Sequence, residues 1–499
     1  MTVPAETVDA TLGDKKRKRN CWSAGYALSM NATSVTTDRH AAYYDVITRR
    51  DAAWNGRFFT GVLTTGIYCL PSCAARTPKI DNVRFFRTVE DAESYGLRPC
   101  KRCRPQMLGA FEEEGRLQRL MGRLRSQPTE IRGVPELAEA MECGVTKLNA
   151  ISHLTYHAAP AHLMAMFRIE WSMQRLRLGD EAGSVGIASG YESLSGFYEQ
   201  FRRFTGMAPG EYRELGRAPG FRMSWPDGFD LSAWRGYIGR DPDSVCERVT
   251  ANGALIAAHV RDRPTLIRIG FDTDGVTVDA NADPFDVHAI VVRMLGYAQD
   301  LDNSAAKLAC LLPHGTSVRI PQTVSVWDAL VWGVLGQQVN VPFASRLRSR
   351  LAALAGSNVG AGMSTIPSPA NMANLTHLDL APIQFSERKS DYLIGLAREI
   401  ASGQWNPERL PKEPASLAER ELLGRRGVGP WAANYVLMRG CGFLDAVPLG
   451  DTGLATALQR CFGLPGRPDG SQTAALMKQF APYRSLATYH LWHSLKEGI

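Results

Sequence analysis

Four cysteines carry the sharpest chemical signal in this 499-residue chain. Cys69-x3-Cys73 and Cys100-x2-Cys103 form two close pairs separated by a 26-residue loop, the spacing of metal ligands. Four thiolates select a tetrahedral Zn²⁺. A second set of residues suits a phosphate and a cationic or aromatic ring. Gly427-Val428-Gly429 would turn the chain between two helices and leave bare N–H groups at a helix N-terminus, a seat for phosphate. A glycine-rich connection also joins helices with no ligand at all. Pro430 fits the first turn of the second helix, which runs to about Arg439. On it Trp431 and Tyr435, at i and i+4, share one face, and aromatic faces attract cations. Asp451 stands just before an apolar run, where it reads as a helix N-cap.

The elements that must hold these residues follow from pattern. Ser416 and Glu419 have capping-box spacing ahead of Leu422 and Leu423, and Gly424 ends that helix. Residues 323–351 form a long amphipathic helical pattern interrupted from Gly336 to Pro342. Residues 355–374 are small and polar and read as a flexible loop. Ile267, Ile269 and Phe271 alternate, as do Val276 and Val278 beyond the Asp272-Thr273-Asp274-Gly275 turn, which predicts a hairpin; 253–260 reads as a further strand. Residues 111–217 are helical, with Leu137, Ala138, Met141 and Val145 at helical spacing around a turn at Gly144. The expected fold is multidomain and mainly α with α+β parts. It comprises a disordered tail (1–40), a zinc-bound α+β domain (41–110), a helical bundle (111–217), a small antiparallel α+β domain (218–300) and a helical domain (301–499).

Three family resemblances run along the chain in order. The flanks of the cysteines, TTGIYCLPSCAARTP and LRPCKRCRP, resemble the N-terminal domain of Ada, the bacterial adaptive-response protein. That resemblance implies that Cys69 is both a zinc ligand, with Cys73, Cys100 and Cys103, and the acceptor of a methyl group from a DNA phosphotriester. It also implies that Thr65, Arg76 and Arg102 touch the DNA backbone. Residues 134–149 and 185–213 resemble the paired helix-turn-helix units of AraC-family regulators, the second through Gly190-Tyr191, Phe197, Phe201-Arg202-Arg203-Phe204, Gly206 and Pro209. Its recognition helix spans about 193–204. The corresponding helix of the first unit, TKLNAISHLTYH, has one basic residue and departs from the family. A bundle that merely links two repair domains is the plainer alternative.

Residues 416–454 resemble the helix-hairpin-helix, Gly/Pro-Asp superfamily of DNA glycosylases, and within it the AlkA-type 3-methyladenine enzymes; the stretch from Phe221 onward resembles those enzymes' N-terminal α+β domain. By that resemblance Asp451 is the catalytic carboxylate, Gly427 and Gly429 bind DNA, and Gln337-Gln338 match the loop that enters DNA at the flipped nucleotide. Trp431 and Tyr435 would line the base pocket with Trp492, which suits ordinary core packing equally well. Bifunctional relatives carry a lysine nucleophile where this chain has Trp431, which implies a monofunctional enzyme. No Pro-Cys-His-Arg segment is present, so a second methyltransferase site of the Ada type is not expected.

Composition bounds the remaining possibilities. Apolar residues make up 44% and charged residues 21%, ordinary for a globular protein, and the net charge of +7 permits a nucleic-acid partner. No apolar run is long enough for a membrane span, and none at the N-terminus serves as a signal peptide. The run Lys15-Lys16-Arg17-Lys18-Arg19 is read as a solvated tail. Cys21, Cys143, Cys246, Cys310, Cys441 and Cys461 form no ligand cluster, and His153, His157 and His162 read as surface or core residues. The expectation is a cytoplasmic bacterial protein, nucleoid-associated when bound to DNA. Its partners would be duplex DNA bearing alkylated bases and methyl phosphotriesters, and RNA polymerase at promoters. It would be a base-excising enzyme fused to a methyl-accepting transcription regulator. The alternative is a methylation-sensing regulator whose glycosylase half only binds DNA.

Overall fold

The computed structural model describes residues 37–311 and 319–497, which form two compact units divided after Leu108. The basic run and Cys21 lie outside the described residues. The first unit opens with α1 (Thr37–Arg49), so helix begins inside the segment expected to be a tail. His40 explains this, because its ring packs edge-on against Phe85 and its Nε2 bonds the Val83 carbonyl at 3.2 Å. Strands β1 (Phe59–Val62), β2 (Ile67–Cys69) and β3 (Val83–Phe86), helix α2 (Val89–Ser94) and strand β4 (Arg98–Pro99) follow. The sheet order is β3-β1-β2-β4, antiparallel except for β2 beside β4. That parallel pair matches Tyr68 with Pro99, and the Cys100 N–H donates to the Tyr68 carbonyl at 2.9 Å. Cys69 and Cys100 therefore leave their strands side by side. The apolar core is two small clusters, around Phe59, Tyr68 and Leu97 and around Val46, Phe58 and Phe85. A core of that size ordinarily needs a staple.

The second unit begins with six connected helices and a short seventh: α3 (Leu108–Ser126), α4 (Val134–Ala140), α5 (Val145–Tyr156), α6 (Pro160–Arg177), α7 (Ala182–Ala188), α8 (Leu194–Thr205) and α9 (Pro209–Arg213). The helix-turn-helix pairs α4/α5 and α7/α8 fall where expected. Ser193 caps α8 by accepting the Gly196 N–H at 3.1 Å, and Gly206 ends it in the left-handed region. Val145 does not join the core; it opens α5 on the solvent side, 44% exposed. Strand β5 (Gly220–Ser224), α10 (Leu231–Ile238), β6 (Glu247–Thr250), β7 (Gly253–Val260), β8 (Arg263–Phe271), β9 (Gly275–Asp279) and α11 (Pro284–Leu295) build an antiparallel sheet of order β5-β9-β8-β7-β6 with helices packed on it. One hydrophobic cluster joins Phe197, Phe201, Phe204 and Tyr212 to Trp234, Ile267, Val276 and Val291. The second helix-turn-helix pair and the sheet domain thus share a core across the boundary drawn at 217.

The rest of the unit is α12 (Ser304–Lys307), α13 (Val326–Leu335), α14 (Val341–Ala355), β10 (Asn358–Gly360), β11 (Met363–Ser364), α15 (Pro369–Ala373), α16 (His377–Leu380), α17 (Glu387–Ala401), α18 (Ala415–Leu423), α19 (Pro430–Tyr435), α20 (Thr452–Cys461), α21 (Gly470–Met477) and α22 (Arg484–Glu497). Two expectations fail here. Helix α13 is not amphipathic: every residue from Val326 to Leu335 is buried, as befits a central helix with neighbours all round. Residues 355–374 are not a flexible loop. Met363 anchors them, fully buried against Ala257 and Leu266, and the Ser364 N–H donates to the Val245 carbonyl at 2.8 Å.

His288, on α11, is fully buried between Tyr212 and Phe221, with Nε2 on the Thr205 carbonyl at 2.8 Å and no partner for Nδ1. Burial pulls it down to about 4 from a usual value near 6.5. Between those values the unfolded chain binds the extra proton and the folded one does not, so stability is complete above about pH 6.5 and falls on acidification toward 4. The loss is on the order of 3 kcal/mol. Thermal melts from pH 7.5 to 4.5 should therefore show a steeper fall for the native protein than for His288→Gln; equal slopes would contradict this.

Candidate functional site

The four cysteine sulfurs converge in the first unit, all within 4.8 Å of one another, with Cys73 Sγ and Cys100 Sγ 4.0 Å apart. A Zn–S bond of ~2.3 Å implies tetrahedron edges of roughly 3.8 Å, so the donor set fits that ion. Without a cation the thiols would compete for protons. Hydrogen bonds from its neighbours, Cys69 first, bring Cys103 down to about 6, while its bond to Cys103 and burial push Cys69 up. The Leu70 N–H also points at Cys103 Sγ, 3.3 Å away, as it would at a thiolate. Thr65, Arg76 and Arg102 are exposed on this unit. Arg102 donates to the Ala74 carbonyl at 3.0 Å, next to Cys73, and Thr65 bonds the Val62 carbonyl in the turn leading to β2.

In the second unit Asp451 caps α20 and gathers three donors. Its Oδ1 accepts the Leu454 N–H at 2.7 Å and the Trp492 indole N–H at 3.0 Å, and its Oδ2 accepts the Trp431 indole N–H at 2.9 Å. These donors are all neutral, and among the described residues no cation pairs with Asp451. The carboxylate is half-buried. Small residues admit the indoles: Trp431 lies over Gly336, and Trp492 over Gly453. Tyr435 stacks on Trp431 at 5.7 Å and 21°, and burial raises its phenol.

The hairpin between α18 and α19 takes the expected turn. Gly427 has φ +90°, and a side chain there would strike the Tyr392 ring. Gln337 Nε2 donates to the Gly427 carbonyl at 2.8 Å, tying the α13–α14 loop to this turn, while Gln338 stands exposed beside it at φ +59°. Gly429 caps α19. The capping box does not form. Pro414 caps α18 two residues before Ser416, leaving the Ser416 hydroxyl buried without a partner, and Glu419 accepts from Asn434 instead. The second helix ends in a π-helical turn, Val436–Cys441, rather than running as α-helix to Arg439.

Sequence reasoning missed the buried polar layer behind Tyr435. Arg439, 1% exposed, lies 3.7 Å over the Tyr237 ring, and Arg240 lies over Tyr237 and Trp332 at 4.0 and 4.8 Å. Arg240 pairs with Glu247 at 3.2 Å, and Arg348 with Asp328 at 2.9 Å and Glu247 at 3.5 Å. Buried charges persist only when paired in this way. The one local signal was spacing, since Trp431, Tyr435 and Arg439 follow at i, i+4 and i+8.

Comparison with known proteins places each site in a family. Residues 42–106 match the metal binding domain of Ada, 137–215 a helix-turn-helix domain, and 331–482 the HhH-GPD superfamily of base excision DNA repair proteins. A DNA-3-methyladenine glycosylase of Bacillus subtilis is 30% identical over 55% of this chain and 96% of its own length. The chain belongs to the HhH-GPD superfamily. A "probable bifunctional transcriptional activator/DNA repair enzyme AlkA" of Mycobacterium tuberculosis is 28% identical over 91% of this chain and 96% of its own length. A solved 3-methyladenine DNA-glycosylase of Archaeoglobus fulgidus shares the fold, with TM-score 0.50 and 16% identity over 55% of this chain and 98% of that one. This member of the superfamily is thus a DNA repair protein in which an Ada-type zinc and helix-turn-helix half is fused to an AlkA-type glycosylase half. Its four thiols are a Zn²⁺ site. Among the described residues no helix is long and apolar enough to cross a membrane.

Removing zinc with a chelator at neutral pH should unfold the small first unit and release four reactive thiols beyond the exposed Cys310 and Cys461. The helical circular-dichroism signal of the second unit should persist. Thiol titration alongside metal analysis checks this; four thiols reacting fast before chelation would contradict it.

Proposed function

We propose that the glycosylase half excises alkylated bases from duplex DNA, 3-methyladenine among them, with Asp451 as the catalytic carboxylate and without strand cleavage. The observation that carries this reading is the three-point hold on Asp451 by neutral donors, which orients both oxygens without cancelling the charge. Breaking the C1′–N bond sends its electron pair to the base and leaves positive charge on the sugar. A fixed carboxylate stabilises that charge. Water then bonds to C1′, and its proton passes to Asp451 or to solvent. An N-alkylated purine is already cationic, so it departs neutral without a general acid. The stacked faces of Trp431 and Tyr435, with Trp492 beside Asp451, suit such a ring. Position 431 holds a tryptophan where a strand-cleaving enzyme needs an amine, which favours an abasic product. Gly427, Gly429, Gln337 and Gln338 lie together at the hairpin and supply the DNA contacts. Flipping costs a few kcal/mol and is least at weakened pairs, which favours lesions.

Release of 3-methyladenine and 7-methylguanine from methylated duplex DNA tests this. Asp451→Asn keeps a capping side chain but loses the charge, and release should fall on the order of a hundredfold or more. No release by the native protein would sink the enzyme reading and leave a DNA-binding regulator. Equal release by both would remove Asp451 from the mechanism.

The N-terminal half, in the same proposal, accepts a methyl group at Cys69. The sulfur forms a bond to the methyl carbon, the carbon–oxygen bond of a phosphotriester breaks, and the oxygen keeps the pair as a phosphodiester anion. When bound, zinc keeps the cysteines ionised and nucleophilic at neutral pH. Methylation removes one negative charge from the site, so phosphate is repelled less. Thr65, Arg76 and Arg102, all exposed, hold the DNA backbone, and the methylated protein activates transcription with RNA polymerase in the bacterial nucleoid. Exposure to methyl-phosphotriester DNA should add one methyl group to Cys69, read by peptide mass spectrometry, and none to Cys69→Ala. Methylation at another cysteine would overturn the assignment.

A further inference from the structure

We infer that the first helix-turn-helix unit is a coupling unit that docks on the glycosylase hairpin, and that base sequence is read by α8 alone, through Ser195, Tyr198, Glu199 and Arg202. The inference rests on the proposed transcription-activating role of the N-terminal half and goes beyond it.

The two candidate recognition helices differ in what lies beside them. Helix α5 packs against α18, the first helix of the hairpin. The seam around it is closed by specific bonds. Arg420 pairs with Glu114 at 3.0 Å, Gln118 donates to Glu413 at 3.1 Å, and Arg125 donates to the Lys412 carbonyl at 2.8 Å. His157, which ends α5, accepts the Asp445 N–H on Nδ1 at 3.1 Å and meets the Phe443 ring edge-on at 5.4 Å. Just beyond, the Ala159 N–H donates to Asp300 at 2.9 Å, and His162 Nε2 meets the Ala298 carbonyl at 2.9 Å. An α-helix with its side chains is ~10–12 Å across, and the major groove is ~12 Å wide. Besides its bundle neighbours α4 and α6, α5 carries the glycosylase helix α18, which takes up room beside it. The one basic residue of α5, Lys147, is paired with Glu113 at 2.5 Å, and its outward stripe ends in Leu154, 62% exposed. Such a surface has little to offer base edges or phosphates.

Helix α8 packs on α6, α7 and α9 of its own bundle. Leu194, Ser195, Tyr198, Glu199 and Arg202 face an open groove of about 790 Å³, whose far wall includes Trp225 and Pro226. Arg202 is exposed, and among the described residues it makes no ion pair. Recognition helices read bases with their N-terminal side chains; Ser195, Tyr198 and Glu199 lie in the first two turns of α8, and Arg202 follows on the same face. The core that α8 shares with the sheet domain fixes its direction relative to the glycosylase half.

Selection from random duplexes by the full-length zinc-loaded protein, before and after exposure to methylated DNA, tests the inference. The expected result is one contiguous specified block shorter than a helical turn. It should be unchanged by Thr146→Ala with Lys147→Ala, and altered or lost, with at least tenfold weaker binding, in Ser195→Ala with Arg202→Ala. Two blocks one helical turn apart, a block altered by the α5 changes, or no specified block in either state would overturn it. Base release measured on the same preparations reports separately on the glycosylase reading.

Discussion

The hydrogen bonds from two indoles to one carboxylate are the constraint on which the glycosylase half turns. Trp431 comes from the helix after the hairpin and Trp492 from α22, while Asp451 caps α20. Three elements must therefore meet within a few ångströms, around the central helix α13, which is buried along its whole length. Gly336 at its end leaves room for the Trp431 ring, and Gly453 leaves room for Trp492. The donors also decide the chemistry. An arginine in either place would hold the carboxylate as firmly but would neutralise it. Indole N–H groups fix the direction of the carboxylate and leave its charge uncancelled.

Behind the aromatic face the structure accepts a costly arrangement. Three arginines and two acids are buried between the sheet domain and the helical domain. Burial pushes Asp328 up and its guanidinium partner Arg348 pulls it back, so neither charge is tolerable without the other. A layer of this kind specifies one arrangement of two domains more strictly than apolar packing would, because a slipped interface strands a charge. The Arg439–Tyr237 contact crosses the same boundary, and Arg439 belongs to the π-helical turn directly after Tyr435. The position of Tyr435 is thereby tied to residues two hundred positions earlier in the chain.

That distance explains what could be seen in the sequence and what could not. Each cysteine pair, the hairpin turn, the Trp431–Tyr435 face and the Asp451 cap are all local, with spacings of one to four residues inside each motif. Periodicity found the β8–β9 hairpin and β7 for the same reason, and the family resemblance placed α8. The Ser416–Glu419 box failed because Pro414 starts the helix first, so a correct local pattern sat at the wrong point of its helix. Residues 355–374 looked mobile because their composition is small and polar; one buried methionine, Met363, orders them through contacts with strands a hundred residues away. The role of α13 was hidden differently, since an apolar helix reads as amphipathic whenever its few polar residues happen to align.

The shared core between α6–α9 and the five-stranded sheet bears on how such a fusion works. Domains joined by a linker sample many relative orientations, and one acts on DNA without constraining the other. Here Phe201 packs on Tyr212, Tyr212 on Phe285 and His288, and the Ser224 N–H donates to the Gly206 carbonyl at 2.8 Å, so the regulator's last helices continue directly into the enzyme. On the proposed roles, a duplex along α8 and a duplex at the hairpin would have a fixed angle and distance between them, which would couple sequence reading to lesion excision by geometry. The cost of such a shared core is freedom of movement between the two halves.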